Sequence, residues 1–199
     1  MAFNLADLIY NATSGIFNLY AKFIMRVEVK GKENIPESGP LVVMSNHISY
    51  LDPPLIGSIL PRKIHYMAKA ELFENKIVGA FLSKLGAFPL KRGTGDSRAF
   101  RKAIKILRND QVLGIFPEGT RYPEGSPGDP HSGSIMLAIM GKSPILPIGI
   151  KNIKRKGKPK VNIGEPLILD EYFGKKLDKE EREKVANQVM SEIISLLNE

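Results

Sequence analysis

The sequence contains a histidine and an aspartate in an arrangement suited to general-base chemistry. His47 and Asp52 lie five residues apart in the segment 46–52 (NHISYLD), directly after the mostly apolar run 41–45. An imidazole titrates near neutral pH and can take a proton from a hydroxyl. A carboxylate at this distance can turn back across a loop, bind the far ring nitrogen and stabilise the imidazolium. Two structural alternatives stay open: Asp52 is the N-cap of a following helix, or His47 is a buried histidine.

A second segment with chemical potential is 116–121 (FPEGTR), which also follows an apolar run, residues 112–116. Gly119 allows a tight turn or a close approach to a ligand. Arg121 can hold a phosphate with two parallel hydrogen bonds, and Thr120 adds a further donor. The alternative is a surface turn in which Glu118 and Arg121 form an incidental pair.

The elements that carry these segments alternate between strand and helix. Strands are predicted at 26–30, 41–45, 64–68, 87–90, 112–116, 145–150 and 161–163. Helices are predicted from 52, at 75–85, around 100–107, at 134–140 and from 178. This order predicts an α/β fold: one domain with a largely parallel or mixed central sheet flanked by helices. Ligands of such sheets bind at the carboxyl ends of the strands, where both segments fall.

The N-terminal stretch, residues 1–25, has apolar residues at helical spacing. We expect two short amphipathic helices, broken near Ser14 and Gly15, that lie in a membrane interface; the alternative is a helix packed on the domain. No run reaches the 18 or so apolar residues of a spanning helix, and a signal peptide is not indicated. Residues 26–199 form the predicted catalytic domain, with its motif-bearing core at about 41–150.

Composition narrows the possible functions. The 199 residues include no cysteine, which excludes thiolate metal sites and cysteine nucleophiles. With only His47, His65 and His131 available, a histidine-rich metal centre is not expected. The net charge of +8 favours anionic partners such as a lipid surface or a phosphorylated substrate. Nucleic acid is not predicted, because no recognition motif accompanies the charge.

Taken together, these segments resemble the glycerolipid acyltransferase family, the lysophosphatidate acyltransferases in particular. The spacing Asn-His-x-x-x-x-Asp is followed about 70 residues later by the FPEGTR segment. Residues 86–92 (GAFPLKR) are similar to the family's second block and 145–148 (ILPI) to its fourth. Residues 68–73 (AKAELF) are similar to a segment that often lies between the first two blocks. The blocks occur in the family's order and span more than half of the chain.

The resemblance implies a mechanism. His47 removes the proton from the acceptor hydroxyl, Asp52 orients His47, and the oxygen attacks the thioester carbonyl directly. Three basic residues stand at positions that hold the glycerol phosphate in the family: Lys69, Arg92 and Arg121. The acceptor site is shaped by the turn that contains Glu118, Gly119 and Thr120. No bound cofactor is implied; the co-substrate is a thioester of coenzyme A or of acyl carrier protein.

Two segments fall outside this match. Where the family often has Phe-Lys-x-Gly, residues 130–133 read PHSG, so the lysine is absent; His131 adds a donor there or is an exposed loop histidine. Residues 151–160 contain six basic residues and no acidic one. This run is a solvated hairpin tip, or it contacts anionic lipid, acyl carrier protein or coenzyme A.

The resulting hypothesis is transfer of an acyl group to the sn-2 hydroxyl of 1-acyl-glycerol-3-phosphate, which forms phosphatidate. The enzyme would be peripheral or monotopic at the cytoplasmic face of the cell membrane, in contact with its anionic surface. Three alternatives stay open: a different lysolipid acceptor, hydrolysis of the thioester, and a non-catalytic peripheral membrane protein.

Overall fold

The chain forms one mixed β-sheet with helices on both faces. The computed structural model describes residues 5–93, 95–122, 127–153 and 158–199. The strands are β1 (Glu28–Lys30), β2 (Leu41–Ser45), β3 (Ile64–Lys69), β4 (Phe88–Leu90), β5 (Val112–Ile115), β6 (Ile145–Lys151) and β7 (Lys160–Ile163). The α-helices are α1 (Leu5–Leu19), α2 (Asp52–Ile59), α3 (Lys76–Lys84), α4 (Ser97–Arg108), α5 (Gly133–Gly141) and α6 (Lys179–Asn198). The predicted α/β class is confirmed.

The strands are arranged in the order β1-β7-β6-β2-β5-β3-β4. The pairs are parallel except β6 with β7, which are antiparallel. The centre of the sheet is β2 and β5, and both are buried along their whole length, which explains why they read as continuous apolar runs. Because β2, β3, β4 and β5 are parallel, their carboxyl ends meet at one edge of the sheet. The segments that follow them are thereby brought together.

The two faces of the sheet bury separate apolar cores. Successive residues of β2 alternate between them: Val42 and Met44 belong to the core under α4, α5 and α6. Leu41 and Val43 belong to the core under α1 and α2. This period of two is the geometry of a strand covered on both faces. Helices α1 and α4 therefore lie on opposite sides of the sheet.

The predicted break near Ser14 and Gly15 is wrong, because α1 runs through both residues and continues into a π-helical turn, Tyr20–Ile24. Packing on α2 explains the continuity. Ser14 Oγ donates to the Gly57 carbonyl at 3.0 Å, and Asn18 Nδ2 donates to the Ser58 carbonyl at 2.6 Å. A mid-helix glycine costs only about 1 kcal/mol, which such tertiary contacts outweigh.

The helix boundaries mostly follow the expected signals. Asp178 and Glu181 form the reciprocal capping box at the start of α6. Gly86, expected to end α3, has φ +89°, a left-handed conformation in which glycine is favoured. The basic run joins β6 to β7, as a hairpin connection should; its residues 154–157 lie outside the described part of the chain.

Candidate active site

Asp52 and His47 form a hydrogen-bonded pair at the carboxyl end of β2. His47 Nδ1 lies 2.7 Å from Asp52 Oδ2, and the Asp52 side chain is fully buried. With Nδ1–H donating to this carboxylate, Nε2 keeps a lone pair that can accept a proton from a hydroxyl. The His47 side chain is 15% exposed and lines a cavity. The imidazole is therefore partly buried and accessible from the cavity.

Asp52 is not the N-cap of α2. It is the first residue of the helix, and Leu51 precedes it with no side-chain cap. Pro53 and Pro54 have no N–H group, so the first turn offers a carboxylate few donors. Asp52 Oδ2 turns back instead and accepts the N–H groups of Ile48 and Ser49, each at 2.7 Å. The same oxygen thus fixes both the loop and the imidazole.

The backbone of His47 is held by two residues of the turn after β5, one in the FPEGTR segment and one directly after it. Its N–H donates to Glu118 Oε1 at 2.9 Å, and its carbonyl accepts the Tyr122 N–H at 2.8 Å. The neighbouring Asn46 side chain forms two 2.8 Å bonds, one to the N–H and one to the carbonyl of Ile150. These bonds tie the histidine loop to β6 and to the turn after β5.

Glu118 is a buried carboxyl group that faces this loop. Its second oxygen accepts the Gly128 N–H at 3.3 Å. Burial raises the pKa of Glu118 to about 7, although its bonds to the N–H groups of His47 and Gly128 act in the opposite direction. The charge of the nearby Asp52 adds to the increase.

The imidazole of His47 is the outer layer of a stack of three rings. It stacks on Phe116 with the ring centroids 4.0 Å apart, and Phe116 stacks on Tyr66 at 5.8 Å. Tyr66 lies across from Gly114 in the β3–β5 pairing. A Cβ atom at Gly114 would lie 2.2 Å from the Tyr66 ring, so only glycine leaves room for this ring. The stack sets the plane of the imidazole.

The cavity beside His47 has a volume of about 690 Å³ and a mostly apolar wall. It lies between α1, α2, α3 and the carboxyl edge of the sheet. The three predicted phosphate-binding residues, Lys69, Arg92 and Arg121, all line it together with His47. Gly119 and Thr120 line it as well, whereas the Glu118 side chain is directed to the histidine loop. Residues from α1, α2, α3, β3 and the loops after β2, β4 and β5 therefore converge on one site.

Two contacts near the cavity were not indicated by the sequence. Arg121 Nη2 donates to the Tyr50 hydroxyl at 2.8 Å, and its guanidinium carbon lies 3.5 Å from the centroid of the Tyr50 ring. His131 is exposed, but its ring lies against Gly119, where a Cβ atom would approach Cδ2 to 2.7 Å. The stack of the Tyr66, Phe116 and His47 rings had one signal in the sequence, which was Gly114, a glycine inside a buried strand.

The fold is a mixed α/β sheet with a carboxylate-bound histidine at the carboxyl edge of its parallel strands, an arrangement typical of α/β enzymes. Among the described residues, no group of three or more histidine, aspartate or glutamate side chains could hold a metal ion. Residues 26–151 match the family model described as Acyltransferase. The chain belongs to the acyltransferase family, and it is an O-acyltransferase by the relatives it matches.

Three individual proteins illustrate the relationship. The 1-acyl-sn-glycerol-3-phosphate acyltransferase of Bacillus subtilis is 41% identical over 148 residues, 71% of this chain and 73% of that protein. The protein of the same name from Streptococcus pneumoniae is 29% identical over 159 residues, 76% of this chain and 58% of that protein. The crystal structure of the 1-acyl-sn-glycerophosphate acyltransferase PlsC from Thermotoga maritima superimposes with a TM-score of 0.74 and 27% identity, covering 98% of this chain and 84% of that chain.

Proposed function

We propose that this protein transfers a fatty acyl group from an acyl thioester to the sn-2 hydroxyl of 1-acyl-glycerol-3-phosphate, which yields phosphatidate. One observation carries the proposal: the carboxylate-bound imidazole of His47 lines an apolar cavity together with three cationic side chains. A base, a phosphate-binding group and space for acyl chains are the three things that this reaction needs. The names of the relatives point to the same acceptor.

In the proposed mechanism His47 Nε2 takes the proton of the acceptor hydroxyl while the hydroxyl oxygen attacks the thioester carbonyl carbon. The imidazolium is stabilised by Asp52, whose carboxylate is 2.7 Å from Nδ1. The tetrahedral intermediate then expels the thiolate, and the proton held by His47 passes to the sulfur. A new ester bond replaces the thioester bond, and no covalent acyl-enzyme intermediate or bound cofactor is required.

The phosphate of the acceptor is held in this proposal by Lys69, Arg92 and Arg121. Arginine suits this role because its planar fork matches phosphate oxygens, and the apolar wall of the cavity strengthens the attraction. Tyr50 supports Arg121 through the stacking contact and the 2.8 Å hydrogen bond. Gly119 and Thr120 complete the wall next to the acceptor.

For Glu118 we propose a positioning role, since its carboxyl group contacts the backbone of the base and not the cavity. It aligns the His47 loop with the turn that contains Arg121. The base and the phosphate-binding group are then held at a fixed separation. Positioning of this kind matters because a displacement near 1 Å can cost about 10²-fold in rate.

We further propose that residues 1–25 attach the enzyme to the membrane and that residues 26–199 are the catalytic domain. Exposed apolar side chains are concentrated on α1, on the π-helical turn that continues it and on α3, which packs against α1. They are Leu5, Leu8, Ile16, Leu19, Tyr20, Phe23, Ile24, Ile77, Val78 and Phe81. We call this set the apolar helical surface. Within the described residues no helix is long and apolar enough to cross a bilayer.

An apolar surface rimmed by polar residues is typical of membrane contact. The cavity opens among the same helices, since Tyr10, Phe17 and Phe81 line it. A lysolipid could therefore pass from the bilayer into the site without exposing its chain to water. We propose the cytoplasmic leaflet, where the net charge of +8 meets anionic lipid and the thioester donor is available.

The test is acyl transfer from a long-chain acyl-CoA to defined lysolipids in mixed micelles, with product identified by mass spectrometry. We expect phosphatidate from 1-acyl-glycerol-3-phosphate, and much slower transfer to lysophosphatidylglycerol or a lyso-ornithine lipid. Preference for either of those acceptors would overturn the assigned substrate. Thioester loss that does not depend on an acceptor would indicate a hydrolase, and no turnover with any lysolipid would indicate a non-catalytic membrane protein.

A further inference from the structure

One face of α4 is densely basic and is not used by the proposed reaction. Its exposed side chains are Arg98, Arg101, Lys102, Lys105 and Arg108. We call this set the α4 basic face. The twelve residues of the helix include no acidic one. The opposite face is apolar and is buried against the sheet and α5.

These charges are not held in side-chain ion pairs in the described part of the chain. Among the described residues, none of the five lies within 4.0 Å of a carboxylate group. Arg98 and Lys102 are four residues apart, as are Arg101 and Lys105, and like charges at this spacing destabilise a helix. Only Lys102 has a favourable ring contact, with Nζ 4.9 Å from the centroid of Phe88. The charge of Asp96 attracts Arg98 and lies at the start of the row, and the rest of this row of cations favours an anionic partner.

The position of α4 shows which kind of partner can reach it. The helix covers the face of the sheet opposite to α1, whereas the apolar helical surface is formed by α1, the π-helical turn and α3. A membrane bound to the apolar helical surface therefore lies on the other side of the sheet. The α4 basic face is left toward the water phase, which favours a soluble acidic partner over anionic lipid.

The first turn of α4 also lies near the cavity beside His47, because the loop that leads into the helix contributes to the cavity wall. Strand β4 ends at Leu90, at the carboxyl edge of the sheet, and Arg92 of the following loop lines the cavity. The loop is closed by Asp96, whose carboxylate accepts the Lys91 N–H and caps α4. Arg98, Arg101 and Lys102 therefore lie nearer to the cavity edge than Lys105 and Arg108, because α4 runs away from that edge.

We propose that the α4 basic face is the docking surface for an acidic acyl carrier protein that delivers the acyl thioester. The inference rests on the proposed function, because it identifies the partner that supplies its donor. The acidic surface of the carrier pairs with the cations of the first two turns, and its flexible thioester arm reaches over the Arg92 loop to His47. A coenzyme A thioester has no protein surface and reaches the same site without this contact.

The experiment compares two donors with the same acyl chain, one on acyl carrier protein and one on coenzyme A. The test variant is Arg98→Glu/Arg101→Glu, and the matched control is Lys175→Glu/Lys176→Glu, an equal charge change on an exposed loop before α6. We expect the test variant to lose roughly tenfold or more of kcat/KM with the carrier-bound donor, because opposed charges slow docking. Transfer from the coenzyme A thioester should stay within about twofold for both variants.

Binding of fluorescently labelled acyl carrier protein, followed by anisotropy, gives a readout that does not depend on turnover. It should be weakened by the test variant and by added salt, and not by the control variant. The proposal is overturned if wild type does not bind the carrier while it transfers from coenzyme A. It is also overturned if both donors lose activity together and vesicle binding falls, which would assign the α4 basic face to the membrane. Failure of transfer from both donors would refute the proposed function itself.

Discussion

Substitution of Gly114 by alanine should lower turnover with little damage to the fold. A Cβ atom there would lie 2.2 Å from Cε1, 2.6 Å from Cδ1 and 2.8 Å from Cζ of Tyr66. Ordinary contact begins near 3.4 Å, so the ring must move by at least about 1.2 Å. Tyr66 supports Phe116, which in turn supports His47, and the shift is passed to the base.

The expected loss in kcat is about 10²-fold, because displacement of a catalytic group by roughly 1 Å has an effect of that size. The stability cost should be that of ordinary overpacking, about 1–3 kcal/mol. Gly141→Ala is the matched control. Its Cβ atom would lie 2.4 Å from Leu107 Cδ1, far from the ring stack, so it should strain the core and leave kcat nearly unchanged.

The assay measures kcat at saturating donor and acceptor and the free energy of unfolding in urea for each variant. The double variant Gly114→Ala/Tyr66→Leu adds a further check. Both changes act through the same ring, so its kcat should equal that of Tyr66→Leu alone. The reasoning is refuted if Gly114→Ala keeps wild-type kcat while it loses as much stability as Gly141→Ala, or if the two effects in the double variant simply add.

Three other predictions follow from the site and the surface. Asp52→Asn replaces a charged acceptor of three hydrogen bonds by a neutral one, so urea unfolding should show a loss of about 3 kcal/mol and kcat should fall by roughly 10²–10⁴-fold. The pKa of Glu118 is raised to about 7, so the wild type loses stability as pH rises from about 4.5 through 7. Glu118→Gln cannot ionise, and its stability relative to wild type should improve by about 2 kcal/mol between pH 5 and pH 8 in urea titrations; an unchanged difference would contradict this. Phe23→Asp/Ile24→Asp should weaken vesicle co-sedimentation roughly tenfold or more at unchanged unfolding free energy; equal binding would exclude this surface from membrane contact.

Much of the fold could be predicted because its signals are local. Buried strands such as β2 and β5 appear as short apolar runs, and the caps at Asp178 and Gly86 depend on single residue types. The break in α1 was wrongly expected because Ser14 and Gly15 have low helix propensity. Hydrogen bonds to α2, which lies about forty residues further along the chain, decide the outcome there.

The same distinction applies to the candidate site. His47 and Asp52 are close in sequence, so their pairing could be predicted from spacing. The alternative interpretation of Asp52 as an N-cap could be rejected only from the structure, in which its carboxylate accepts the N–H groups of Ile48 and Ser49. The contact of Glu118 with the His47 backbone joins residues 71 positions apart, and no local pattern encodes it. The ring stack likewise depends on strand order, which places β3 beside β5.

The central claim is that His47 is the base for acyl transfer to 1-acyl-glycerol-3-phosphate. The most direct measurement compares phosphatidate formation by wild type, His47→Ala and His65→Asn, a control histidine outside the cavity lining. We expect turnover by wild type and His65→Asn, and a loss of about 10²–10⁴-fold in kcat for a folded His47→Ala. Turnover by His47→Ala at the wild-type rate would contradict the account.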